Sequence, residues 1–156
     1  MDQDASAIDV PDGIDPLIPA LGVRQPWAEL ILRGIKTLEV RSSLTSVRGM
    51  IYLYSSKVLA DVPDARLQVQ RHQLPLEELP RGLLIGSVAI LGARPATADD
   101  AGAACVSPAL LDGKCVWELS HPRRFEQPCP VRFLPYGVWF YPYRRKGATG
   151  RSTAAD

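Results

Sequence analysis

Residues 24–42 read RQPWAELILRGIKTLEVRS, a stretch whose apolar period changes halfway along. In the first half Trp27, Leu30 and Ile31 recur at i, i+3, i+4, which puts them on one helix face. Pro26 suits the first helical position, where its missing N–H costs nothing. Gly34 suits the left-handed residue that ends a helix. Beyond it the pattern alternates, with Leu38 and Val40 on one side and Thr37, Glu39 and Arg41 on the other. A short helix therefore hands over to a strand, and Lys36, Glu39 and Arg41 cluster at the join. Leu38 and Val40 are expected to point into the core. Lys36 has the opposite parity to Glu39, so it can join the other two only if the chain is still turning there.

Working outward, GMIYLYSSK (49–57) reads as a second strand, with Met50, Tyr52 and Tyr54 sharing a face. VPDARLQVQRHQL (62–74) reads as a helix with Pro63 near its start, and PLEELP (75–80) as at most one turn. GLLIGSVAILGA (82–93) is the most apolar stretch, a buried strand in which Gly86 marks a bulge or a tight corner. In TADDAGAA (97–104), Thr97 and Asp100 form a weak capping box that opens a short helix. KCVWELS (114–120), CPVRF (129–133) and GVWFY (137–141) supply three more strands, with Pro122, Pro128, Pro130 and Pro135 in the turns between them. No βαβ alternation appears. The fold class is α+β: a mixed β-barrel of about six strands, closed or nearly so, with a few short flanking helices.

The bulk composition excludes several functions. A chain of 156 residues, 46% hydrophobic and 22% charged, is sized for one domain. No apolar run approaches the roughly 18 residues of a membrane helix, and MDQDASAIDVPDGID (1–15) lacks a signal-peptide layout, so a cytoplasmic location is expected. Cys105, Cys115 and Cys129 form no CxxC pair, and with only His72 and His121 beside them no zinc ligand set is visible. No metal or other cofactor is expected. The net charge of +1 gives no global basic field. The ends differ, however: an acidic segment (1–18) and a basic tail (144–156) flank a domain at 19–143, and both are expected to be mobile. The tail reads either as solvated or as adding phosphate contacts. Nothing asks for an obligate dimer, so a monomer is expected.

GIKTLEVR (34–41) fits G-x-K-x-x-E-x-R through Gly34, Lys36, Glu39 and Arg41, and so resembles the signature of the ASCH domain family. RQPWAELILR, RGMIYLYSSK, GLLIGSVAI, VWELSHPRRF and GVWF resemble further blocks of that family, in order, from about Leu21 to Pro142. The resemblance implies a PUA-like barrel and binding of RNA or another nucleic acid. Some small bacterial members hydrolyse N4-acetylcytidine and related nucleosides, using a Lys and a Thr of this motif and a more distant Glu. Lys36 matches that Lys, whereas Glu39 stands in the Thr position. Glu118 and Asp100 are the candidates for a second acid.

The residues themselves leave two readings open. Lys36 and Arg41 can offer cationic donors to phosphate or base acceptors, while Glu39 accepts from a base amino group. If catalytic, Lys36 and Glu39 would manage protons. Alternatively, Glu39 and Arg41 form an ordinary surface ion pair with Lys36 in solvent. Gln25 could read a base edge and Trp27 could stack on one or pack in the core. Ser55 and Lys57 end the second strand, near the expected rim. His121, Arg123 and Arg124 read as an exposed basic turn, and Trp117 and Trp139 as core. The expected partners are RNA, another nucleic acid or a modified nucleoside, with no membrane.

Overall fold

The computed structural model describes residues 9–144. Six strands form one sheet: β1 (Ala20–Val23), β2 (Leu38–Arg41), β3 (Gly49–Ser55), β4 (Leu83–Pro95), β5 (Cys115–Cys129) and β6 (Trp139–Phe140). Their order is β2-β5-β4-β3-β1-β6. β1 runs parallel to β3, and the other pairings are antiparallel. Three helices flank the sheet: α1 (Trp27–Leu32), α2 (Pro63–His72) and α3 (Ala101–Ala104). The sheet is a curled half-barrel. Trp117 on β5 stacks on Trp139 on β6, with centroids 5.7 Å apart and planes 6° from parallel. Three strands separate β5 from β6 in the sheet, so only strong curvature brings these rings together.

The strand count agrees with the sequence reading, but two boundaries do not. β1 is only ALGV, buried almost throughout, and it carries no alternation to announce itself. CPVRF forms no strand beyond Cys129, because β5 runs unbroken from Cys115. Pro122 and Pro128 thus lie inside a strand rather than in turns. Only residues 115–118 of β5 pair with β2, so the rest of the strand has β4 as its sole partner. Along that free edge a proline removes no ladder hydrogen bond. The β4–β5 register also shifts three times, which absorbs the irregular residues.

Gly86 lies at one of these shifts. A Cβ there would stand 2.4 Å from the Arg123 carbonyl oxygen and 2.8 Å from Leu32 Cδ2. The missing side chain lets β5 and α1 approach β4 together. α1 then seats Ala28, Ile31 and Leu32 in the main core with Leu21, Ile51, Leu53, Ile85 and Trp117. On the other face of β1 and β3, Ala20, Tyr52 and Tyr54 pack with Leu84, Phe140 and Tyr143. Within the acidic 1–18 segment, Val10, Ile14 and Ile18 pack on this second cluster. Residues 1–8 and the basic run from 145 onward lie outside the described residues. Among the described residues no helix is long and apolar enough to cross a membrane.

The capping box forms, with Thr97 and Asp100 answering each other at the start of the turn before α3. α3 and the following turn cover β2, and this corrects the expected side-chain directions. Leu38 and Val40 pack with Ala104, Leu111 and Val116 beneath α3, outside the main core. Glu39 lies opposite Trp117 in the ladder and so shares the face that looks into the half-barrel. Alternation gives the parity of a strand, but here both faces are covered, and the charged face is the inner one.

Candidate functional site

The join between α1 and β2 is built from backbone bonds. Gly34 takes φ +76°, and the N–H groups of Ile35 and Lys36 both donate to the Leu30 carbonyl, at 3.0 and 3.1 Å. The chain therefore wraps the end of the helix before β2 begins at Leu38. Lys36 belongs to that turn, outside the strand's alternation. Its side chain runs inward, 2% exposed, and Nζ donates to the Ala104 carbonyl at 2.5 Å. Nζ also lies 4.8 Å from the centroid of the Trp27 ring. Burial pushes the Lys36 amine below its ordinary range, and the negative charge of Glu39 partly opposes this.

Glu39 is 6% exposed, and its Oε2 accepts from Arg41 Nε at 2.9 Å. Arg41 Nη2 donates to the Gly22 carbonyl at 2.8 Å, and its guanidinium sits 5.6 Å from the Trp117 ring centroid. Arg41 therefore ties edge strand β2 to β1 across the open side of the half-barrel. Neither Glu39 Oε1 nor Arg41 Nη1 has a hydrogen-bond partner among the described residues. Both side chains, with Trp27, wall a cleft of about 410 Å³ that is also lined by Arg24, Ser42, Ser56 and Lys114.

The predicted site residues separate into two groups. Trp27, Glu39 and Arg41 meet at this cleft. Lys36 stands beneath Trp27 and does not line it. Gln25 is fully buried: its Oε1 accepts from the Glu29 N–H and its Nε2 donates to the Pro80 carbonyl. It secures the first turn of α1 and faces no cleft. Ser55 is buried against the Leu83 carbonyl, at 3.1 Å. Lys57 lines an adjoining hollow of about 300 Å³. Glu118 and Asp100 are both held by Arg94, and Glu118 lies opposite Leu38, on the other face of the sheet from Glu39. Neither is placed as a second acid for Glu39.

Arg24, Ser42 and Lys114 carried no signal of their own. Arg24 precedes the helix and Lys114 precedes β5, and only the curl of the sheet joins them. A separate hollow of about 460 Å³ lies between α2 and α3, lined by His72, Asp64 and Cys105. Its histidine and its carboxylate are engaged: His72 pairs with Gln68, and Asp64 accepts from both the N–H and hydroxyl of Ser107.

A curled sheet of this order, with a short helix seated in its mouth and a charged pair on the first edge strand, is a PUA-like half-barrel. Residues 21–129 match the ASCH domain family, and the chain belongs to it. It is similar in fold to ASCH from Zymomonas mobilis, with TM-score 0.55 and 14% identity over 85% of this chain and 90% of that one. A point mutant of the same Zymomonas mobilis protein gives TM-score 0.54 and 12% identity over 83% and 91%. No curated protein matches the chain.

Proposed function

We propose that the protein binds nucleic acid, RNA foremost, in the cleft walled by Trp27, Glu39 and Arg41. The observation that carries this reading is the half-satisfied pair. Glu39 presents an unused acceptor and Arg41 an unused donor side by side in the same wall. That is the complement of a base edge with one amino or imino donor and one acceptor. A pair serving stability alone gains by using all its atoms. Trp27 offers a stacking face, and Arg24 and Lys114 are exposed cations that pair with no carboxylate among the described residues. A purely phosphate-binding surface has no use for Glu39, because a carboxylate repels phosphate.

Titration of the full chain with each ribonucleoside 5′-monophosphate and matching homo-oligonucleotides tests this. Arg41→Lys keeps the charge but cannot reach Glu39 and Gly22 together, and affinity is expected to fall at least about tenfold. Glu39→Gln is expected to blur the preference among bases. Unchanged binding in both variants rejects the site.

A second reading is hydrolysis of an acyl group from N4-acetylcytidine or a similar nucleoside. Its support is Lys36, whose burial favours the neutral amine a general base requires. The amine stands below Trp27, so this reading also needs Trp27 to swing aside. Prolonged incubation with N4-acetylcytidine that yields no cytidine rejects it for that substrate.

A further inference from the structure

The cleft does not end at the charged pair. Its lining includes Arg24 and Ser56, and the same two residues line the adjoining hollow of about 300 Å³. The two hollows therefore share a wall. The second is unlike the first, because Val58, Leu134 and Pro135 give it an apolar lining and no acidic residue lines it. Val58 is 58% exposed and Leu134 57% exposed, so neither is shielded by the fold.

Lys57 and Arg24 stand at the rim, exposed and without an ion-pair partner among the described residues. Tyr54 completes the lining. It is 2% exposed, yet its hydroxyl makes no hydrogen bond among the described residues. Among the described residues the one fully enclosed unpaired side-chain atom is Trp139 Nε1, so the sliver of Tyr54 still accessible includes its oxygen. Burial pushes its pKa up, which keeps it a neutral donor. An accessible hydroxyl donor with no protein partner, beside two exposed cations and an apolar lining, is a set of groups that one nucleotide can engage at once.

We propose that this hollow is the seat of a second nucleotide, adjacent in the strand to the one held by Glu39 and Arg41. This rests on the reading of the first cleft as a nucleotide site. One base lies against Trp27, and the next against Leu134 and Pro135. The phosphate joining them passes over Arg24 and Ser56, where the two hollows meet. Lys57 takes the outer phosphate, and the Tyr54 hydroxyl donates to the second nucleotide. The ligand is then a strand of at least two nucleotides, and a free nucleoside fills only half the site.

Calorimetric titration of the full chain with nucleoside monophosphates, dinucleotides and hexanucleotides, in ribo and deoxyribo series, tests the proposal. A dinucleotide is expected to bind about tenfold or more tighter than its monophosphate, because the second seat is filled intramolecularly. In Lys57→Glu that advantage is expected to fall below about twofold, and in Tyr54→Phe to shrink about threefold. If monophosphates bind and respond to Glu39→Gln but dinucleotides gain nothing in either series, the second seat is wrong and the first stands. An advantage that survives Lys57→Glu overturns it too. A hexanucleotide duplex binding as tightly as its single strand overturns it likewise, since paired bases cannot enter either hollow. If no nucleotide of any length binds, the first reading falls as well.

Discussion

Lys36 shows how far one side chain can depart from its position in a pattern. Strand parity aims it away from Glu39, and the turn around Gly34 reverses that by keeping it out of the strand. The sequence contained the cause, because glycine three residues after a helix face is a stop signal. It did not contain the depth, because burial depends on α3 arriving from 65 residues further on to offer its carbonyl at Ala104. The amine's pKa is lowered, first by desolvation, with Glu39 pulling the other way. A lowered lysine binds its proton more tightly when unfolded. Stability should therefore rise with pH between the folded value and 10.5, the ordinary value. Buried Cys105 and Tyr54, whose pKa values are raised, work in the opposite direction at alkaline pH. The difference between proteins isolates the lysine. Wild type is expected to gain on Lys36→Met in urea midpoint as pH climbs from 7 toward 10. A constant gap would show that the amine is not desolvated.

At the scale of elements, α1 is held by charge as much as by its apolar face. Glu29 is 3% exposed and takes both terminal nitrogens of Arg124 at 2.9 Å, with Arg33 Nε at 2.7 Å. Burial pushes the Glu29 carboxyl up, but these hydrogen bonds outweigh it and hold it below 4.5. A depressed carboxyl stabilises above its unfolded pKa, and that contribution is lost as pH falls through the folded value. Glu29→Gln is expected to cost about 1–3 kcal/mol at neutral pH, discounted because both arginines are partly solvated. The loss should shrink only as pH falls below 4.5 and through the lowered folded value, where wild type approaches the variant; chemical denaturation along a descending pH series checks this. In sequence Arg124 reads as part of an exposed basic turn, since nothing in HPRR announces a partner 95 residues away. α1 itself was legible from spacing and Gly34. β1 was not, because four residues buried almost throughout show no period. The inward face of β2 was not either, because a strand covered on both sides alternates the same way whichever face is inside.

At the scale of the molecule, the cleft exists because the sheet curls without closing. β2 and β6 are its two edges, and side chains do what backbone pairing does in a complete barrel. Arg41 reaches from β2 to Gly22, and Trp117 stacks on Trp139 within the mouth. A closed barrel would bury the charged pair, and a flat sheet would separate it from Arg24. The two tryptophans differ in one respect that makes the idea testable. Trp117 Nε1 donates to the Ser43 carbonyl at 2.9 Å, fastening the loop after β2, whereas Trp139 Nε1 finds no acceptor among the described residues. Both substitutions by phenylalanine remove similar volume from the stack. Trp117→Phe also frees the loop and withdraws ring surface from beneath the Arg41 guanidinium. It is expected to be less stable than Trp139→Phe by about 1 kcal/mol, the worth of the extra hydrogen bond. It should also lose more nucleotide affinity, because Arg41 depends on that ring for its position. Urea denaturation and nucleotide titration of the two variants decide the point. Equal stability and equal binding would mean that the curl is set by the backbone registers alone, with the aromatic pair only filling the space they leave.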